Sequence, residues 1–309
     1  MAVVGVGHLG RHHVRLLAGT PGVASVAAVD LIKERAAAAA ASAGCEALAD
    51  HRDLFGRVDA VVVAVPTAGH LAVAGEFLDR GVHVLVEKPM AASLAEADEL
   101  LAKAARSGAI LAVGHTERFN PAVAAAMPIL ATPRFIEVHR LSTFPERSLD
   151  VDVVFDIMIH DLDIVLAVDR SAIVAVDAIG VPVLTPRADI ANARIRFASG
   201  CIANITASRI SRDKVRKIRF FQPDMYVSID CQAQELEVWR LQPVPGGRPA
   251  IEGGKADVEQ AEPLARELAE FVSAVRERRR PLVSGEDGRR ALALATRVAE
   301  AIGESMHVS

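Results

Sequence analysis

Strands that are apolar from end to end, each followed by a helix-like stretch, fill the first 120 residues. MAVVGVG reads as a strand and GRHHVRLLAG as a helix closed by Gly19; VASVAAVD and RAAAAAASAG, ending at Gly44, repeat the pair. VDAVVVAVP, stopped at Pro66, then GHLAVAGEFLDRG, VHVLVEKP, a helix opened by Ser93, and AILAVGH continue it. Ser93 with Glu96 three residues on forms a capping box. A strand without a polar side needs cover on both faces, which a parallel sheet with helices above and below provides. The pattern predicts an α/β, doubly wound parallel sheet of the Rossmann type.

Beyond RFNPA the pattern changes. RFIEVHRLS, IVAVDAIGV, DIANARIRFASG, CIANITASRIS, VRKIRFFQ, MYVSIDC and ELEVWRL are strand-like and follow one another through short turns such as Ser199-Gly200. That predicts a large, mainly antiparallel open sheet, with residues 153–168 as its long helix. QPVPGGRPAIEGGK reads as a Pro/Gly-rich loop, and two helices near 260–279 and 285–304 close the chain. In the first of them Leu264, Leu268, Phe271, Val272 and Val275 share a face. The boundary is expected near Asn120, giving a first domain of residues 1–119 and a second, α/β domain of 120–309 that includes the closing helices.

The bulk numbers exclude several classes. The 309 residues, 51 % of them hydrophobic, suffice for two cores. A net charge of −4 with both signs mixed gives no reason to expect nucleic acid or a membrane surface as partner. Cys45, Cys201 and Cys231 are scattered without a CxxC pair, which points to a reducing compartment, the cytoplasm, and away from a structural zinc site. No apolar run approaches the ~20 residues of a membrane helix, and the opening has no signal-type core. The first strand starts almost at Met1, which leaves room for a longer natural N-terminus.

GVGHLG places Gly5, Gly7, His8, Leu9 and Gly10 between the first strand and first helix, and Asp30 ends the second strand 20 residues after Gly10. Gly5 permits the tight turn, Gly7 lets the backbone approach a pyrophosphate, and Gly10 lets helix and strand pack closely. The helix N-terminus faces the phosphates with free N–H groups and a partial positive charge. Asp30 is suited to the adenosine ribose hydroxyls, and its charge repels a 2′-phosphate, which favours NAD over NADP; Lys33 and Arg35 lie just beyond. The bland alternative is a set of turns in an ordinary α/β domain.

VVFDIMIHDLDIVLAV, residues 153–168, sets acids and a base into an apolar run. On a regular helix Asp156, His160 and Asp163 stand at i, i+4 and i+7 on one face, with Asp152 one turn earlier. An apolar helix with one narrow acid–base stripe suits a pocket wall, where a carboxylate one turn from an imidazole orients it as a general base. An ion-paired core helix fits the spacing equally, and a divalent metal site fits it less well, there being no matching third-ligand pattern. Lys88, in VEKPM, follows the fifth strand at the C-terminal edge where open α/β sheets bind ligands, and a cation there can stabilise negative charge on a substrate oxygen. The Lys88-Pro89 bond is a candidate for the cis form.

GVGHLG, AVPT, EKP, RFNPA and the D-xxx-H-xx-D helix, in this order across nearly the whole chain, resemble the Gfo/Idh/MocA family of sugar oxidoreductases. The resemblance implies a Rossmann domain followed by an α/β domain whose open sheet forms the interface of a homodimer or homotetramer. It implies Lys88, Asp156 and His160 as the catalytic group. Pro66, Thr67, His70, Glu87 and Pro89 are then expected on the nicotinamide side, and Arg118 and Asn120 near the hinge, at the substrate. GHTERFNPAV with FPERSLDVDVVFDIMIHDLDI is similar to a subgroup that oxidises the 3-hydroxyl of UDP-N-acetylglucosamine, although VVFD stands where relatives commonly carry Gly-rich residues or Leu. Arg140, Arg147, Arg209 and Arg212 are candidates for the diphosphate, since arginine suits bidentate contact with phosphate. The chemistry implied is hydride transfer from a sugar carbon to NAD⁺, with His160 as base. The same chemistry on a free sugar or inositol, and a catalytically silent dinucleotide sensor, are the other readings.

Overall fold

The computed structural model describes residues 1–144, 151–244 and 248–306, the last two without their side chains. The chain forms two compact units: Met1–Thr116 with Glu262–Leu292, and Glu117–Ala261 with the chain from Ala293 on.

The first unit is built on β1 (Ala2–Val4), β2 (Ala27–Val29), β3 (Glu46–Leu48), β4 (Ala60–Val63), β5 (His83–Glu87) and β6 (Leu111–Gly114), all parallel, in the order β3-β2-β1-β4-β5-β6. The order reverses between β1 and β4, the point outside whose carboxyl ends doubly wound sheets bind their ligands. The crossovers are α1 (Gly10–Leu17), α2 (Lys33–Ala43), α3 (His70–Leu78) and α4 (Leu94–Ser107). Val3, Val61, Val62, Val84 and Val86 have no exposed surface, as strands covered on both faces require. The Ser93 cap forms, its hydroxyl accepting from the Glu96 N–H at 3.2 Å, while Glu96 reaches one residue past the cap and accepts from the N–H of Ala92 at 3.1 Å.

The second unit opens with α5 (Pro121–Ala126) and holds α6 (Ile159–Val168). Its strands are β7 (Phe135–Leu141), β8 (Ile173–Val181), β9 (Ile190–Phe197), β10 (Ile202–Ser208), β11 (Val215–Gln222), β12 (Met225–Asp230), β13 (Glu235–Gln242) and β14 (Ala250–Ala256). They form one sheet in the order β14-β13-β12-β11-β7-β10-β9-β8, antiparallel except for the β7/β10 pair. Alternate residues such as Ile136, Val138, Ile205, Phe220 and Val227 are buried on one face, against which Met158, Ile159, Leu162 and Val165 contribute fully buried side chains. Each of these stabilises the unit by about 1.5–3 kcal/mol over its exposed form.

The structure departs from the sequence reading in three places. IEGGKA, expected in a loop, is the edge strand β14, paired with β13. The pairing is made by backbone, and Gly253 (φ +145°) is required because a Cβ there would strike the carbonyl of Val238. The closing helix α7 (Pro263–Glu277), expected in the second domain, belongs to the first unit, where Leu268, Phe271 and Val272 join the core of Val3, Val14 and Leu17. α8 (Gly285–Met306) is divided, Gly285–Leu292 in the first unit and the rest in the second. Finally, residues 153–168 are not one regular helix: Val154–Met158 form a π turn ahead of α6.

Candidate active site

In the first unit the turn after β1 is dictated by glycine. Gly5 has φ +86°, and a Cβ on it would lie 2.7 Å from the backbone N of Val65. A Cβ on Gly10 would strike the Gly5 carbonyl oxygen, whereas at Gly7 it would meet nothing within 4 Å, so the backbone there stands open to a ligand. Asp30 is half-buried; its carboxylate accepts the N–H of Val6 at 3.0 Å and of Ile32 at 2.9 Å, which ties the end of β2 to the glycine loop. A cavity of ≈ 560 Å³ beside the loop is lined by Val6, Gly7, His8, Arg11, Arg35 and Ser42. His8, on its lining, and the next residue Leu9 are both exposed. An open Gly7, a helix N-terminus and a carboxylate at the end of β2 fit the pyrophosphate and ribose of a dinucleotide.

The Lys88-Pro89 bond is cis, and Lys88 is half-buried just past β5. Its neighbour Glu87 is 7 % exposed and receives the Nε2–H of His13 on Oε1 at 2.7 Å and the Lys88 N–H on Oε2 at 3.3 Å. Burial by itself pushes this carboxyl up, but His13 and Lys88 hold it below its ordinary value. His70 is 1 % exposed, with Nδ1 3.0 Å from the Pro89 carbonyl and Nε2 2.9 Å from that of Val65. Burial pushes its imidazole down, against the pull of those two carbonyls. Expected at the nicotinamide, His70 and Glu87 thus have their polar atoms on groups of the protein. Pro66 is exposed and Thr67 half-buried, in the turn that follows β4. His13 escaped sequence reading, although a histidine among the buried positions Gly10, Val14 and Leu17 of α1 was a signal that it faces a partner.

In the second unit Asp156 lies in the π turn and His160 in the first turn of α6, both half-buried. Asp156 and His160 stand four residues apart across the junction of the π turn and α6, and such turns cluster at functional sites. Asp152 caps the turn, accepting the Val154 N–H at 2.8 Å. Asp163 is 2 % exposed and accepts from Arg118 Nη1 at 3.3 Å, so this acid is part of the core. Asp161 is fully buried and takes both forks of Arg140, each at 2.7 Å, while Arg140 Nη1 reaches Glu117 at 2.9 Å. The helix therefore combines both readings left open by its sequence: an ion-paired core side at Asp161 and Asp163, and an accessible side with Asp156 and His160.

Three residues expected at the substrate have other partners here. Arg118 is paired with Asp163 as above. Asn120 caps α5, its Oδ1 accepting the Ala122 N–H at 3.1 Å and its Nδ2 donating to the Cys231 carbonyl at 2.8 Å. Arg209, with no exposed surface, donates to Asp189 at 2.9 Å and to the Val151 carbonyl at 2.7 Å, holding the chain that enters the π turn. Arg147 lies outside the described residues. Among the described residues no group of three or more His, Cys, Asp and Glu could hold a metal ion.

The model of an oxidoreductase family with an NAD-binding Rossmann fold, Gfo/Idh/MocA, matches residues 1–115. The chain is 38 % identical over 303 residues to the UDP-N-acetylglucosamine 3-dehydrogenase of Acidithiobacillus ferrooxidans, covering 97 % of this chain and 96 % of that one. A solved structure of that enzyme superimposes with a TM-score of 0.91 at 37 % identity, over 97 % of this chain and 96 % of the other. Inositol 2-dehydrogenase 1 of Saccharopolyspora erythraea is 42 % identical over 127 residues, 39 % of this chain and 38 % of that one. Levoglucosan dehydrogenase in complex with NADH and levoglucosan shares the fold, with a TM-score of 0.86 at 18 % identity over 98 % of this chain and 96 % of that one.

Proposed function

Since the chain belongs to the Gfo/Idh/MocA family of NAD-binding oxidoreductases, we propose that it oxidises the 3-hydroxyl of UDP-N-acetylglucosamine or a related nucleotide sugar. The observation that carries this reading is a likeness that runs through both units, 97 % of the chain, to an enzyme of that activity, whereas the likeness to the inositol dehydrogenase spans 39 %.

His160 removes the proton from the sugar hydroxyl, and Asp156 orients its imidazole. Lys88 donates a hydrogen bond to the same oxygen and stabilises its growing negative charge. NAD⁺, when bound at Gly5–Gly10 and Asp30, supplies the acceptor for the hydride leaving the carbon. Lys88, Asp156 and His160 together argue against a silent sensor, which needs no base beside a lysine. Arg140 and Arg209 are taken up by buried carboxylates, so of the four candidates Arg147 and Arg212, the latter exposed, are left for a diphosphate.

The test is a panel of UDP-N-acetylglucosamine, other nucleotide sugars, free sugars and inositols, each with NAD⁺ and an amine-transfer step to draw off the ketone. NADH is expected from the N-acetylglucosamine nucleotide above all others. Preference for an inositol would replace the substrate while keeping the chemistry.

We also assign the large sheet as a homo-oligomer interface. Phe135, Phe221, Tyr226 and Trp239 are paired in register across β7, β11, β12 and β13 on the face opposite the buried one. Their ring centroids are 5.6 Å apart for Phe135–Phe221 and 5.2 Å for Phe221–Tyr226. Trp239 and Tyr226 are the chain's single Trp and Tyr, and Trp239 is 38 % exposed, on a surface where a monomer gains nothing from them. Trp239→Glu should shift the species seen by light scattering to a smaller one with unchanged circular dichroism; a wild-type monomer at micromolar concentration would refute the assignment. The dispersed free thiols Cys45, Cys201 and Cys231 support a cytoplasmic location. No helix among the described residues is long and apolar enough to cross a membrane.

A further inference from the structure

We propose that two buried imidazoles, His13 and His70, are positioning residues that clamp the Lys88-Pro89 turn from its two sides. The proposal rests on the catalytic reading of Lys88. Lys88 lies beyond the last ladder bond of β5, where the sheet no longer fixes the backbone. Both of its chain neighbours are held instead by histidine. The carboxylate of Glu87 is fixed at Oε1 by His13, which leaves Oε2 to the N–H of Lys88 itself. That carboxylate is also confined by β6: a Cβ on Gly114 would come within 3.1 Å of Oε2, so the strand offers it a glycine-sized slot. On the other side the carbonyl of Pro89 faces Nδ1 of His70, while Nε2 of the same ring faces the carbonyl of Val65, before the Pro66–Thr67 turn.

The two rings come from informative places. His13 lies on α1, one turn after Gly10 of the dinucleotide loop, and His70 starts α3 directly after the turn that follows β4. Each clamp therefore ties the lysine to one of the two loops at the switch point of the sheet. Both rings are out of water, at 0 % and 1 % exposure, and neither is needed to fill space that an aliphatic side chain would fill better. The value of such a clamp is geometric. A misplacement of about 1 Å in a catalytic group costs about 10²-fold in rate, and a lysine on an unsupported turn is free to drift by that much.

The test exploits the two nitrogens of His70 and the single bonded nitrogen of His13. A neutral His70 donates to one carbonyl at a time, and the clamp requires the proton on Nδ1: in His70→Asn the amide donates to Pro89 from where Nδ1 was, and in His70→Gln it donates to Val65 from where Nε2 was. If the clamp serves Lys88, His70→Asn keeps kcat within about fivefold of wild type and His70→Gln loses about 10–100-fold, with similar Tm and similar NAD⁺ affinity. His13→Gln, which keeps a donor for Glu87, likewise stays near wild type, while His13→Leu loses kcat by a similar 10–100-fold or so with little change in KM for NAD⁺. Equal kcat for Asn and Gln at 70, or for Gln and Leu at 13, would overturn the proposal, because a packing role does not distinguish them. Failure of all four variants to fold would overturn it too, since the rings would then be framework and not a clamp. Lys88→Ala is the reference: full turnover there rejects the catalytic lysine, whereas a disabled Lys88→Ala beside wild-type-like histidine variants rejects only the clamp.

Discussion

Replacing His160 by alanine lowers turnover with the true substrate by about 10²–10⁴-fold while NAD⁺ still binds, and Lys88→Ala does the same. The two losses have different origins. Without His160 no imidazole takes the hydroxyl proton, so the variant's remaining rate depends on hydroxide as the base and rises with its concentration. Without Lys88 the base is intact but the oxygen loses its cation, so the rate falls without that dependence on hydroxide. Neither side chain belongs to the glycine loop or to Asp30, which is why calorimetric NAD⁺ affinity should stay within a few-fold of wild type. If either variant turned over at the wild-type rate, its role would be wrong; if both lost NAD⁺ binding, the assignment of cofactor contacts would be wrong instead.

The largest effect on stability is expected at a residue that touches no substrate. Arg140→Met removes both donors from Asp161, whose side chain has no exposed surface. Breaking one side of a buried pair costs about 3–5 kcal/mol, because the remaining charge has neither water nor partner. Burial already holds the Asp161 carboxyl above its ordinary value despite Arg140, and without the arginine it rises further. The folded variant then binds a proton that the unfolded chain does not, so its stability increases as pH falls from the raised folded value toward the ordinary 3.8. Chemical denaturation should find Arg140→Met much weaker than wild type at neutral pH and closer to it under mildly acidic conditions. Arg140→Met combined with Asp161→Leu should recover part of the loss at neutral pH. A neutral-pH loss below about 1 kcal/mol, the range of exposed pairs, would mean that the pair is solvated.

That pair also marks the limit of sequence reading. The parallel sheet is legible because strands with no polar side have one packing solution, and the glycine loop because its spacing answers a steric demand at Gly5 and Gly10. Strand-like runs joined by short turns from β7 to β13 announce a mainly antiparallel sheet. What is not legible is who meets whom across the chain. Arg140 stands 21 residues from Asp161, and His13 stands 74 residues from Glu87, with nothing local to join them. Arginines suited to a diphosphate by type alone, such as Arg209, prove to be buried partners of aspartates. The face of α7 is apolar in sequence, but apolarity does not say which core it completes. The π turn at Val154–Met158 has no side-chain signature, so spacing alone reads residues 153–168 as one regular helix. β14 is held by backbone, to which residue type is nearly blind.

The most direct measurement of the central claim uses UDP-N-acetylglucosamine deuterated at carbon 3. Incubated with the enzyme, NAD⁺ and an amine-transfer trap, it should yield NADH in which deuterium appears in proportion to the NADH formed, and His160→Ala should suppress that transfer. NADH without label, or no NADH from this sugar while another substrate in the panel produces it, would contradict the account.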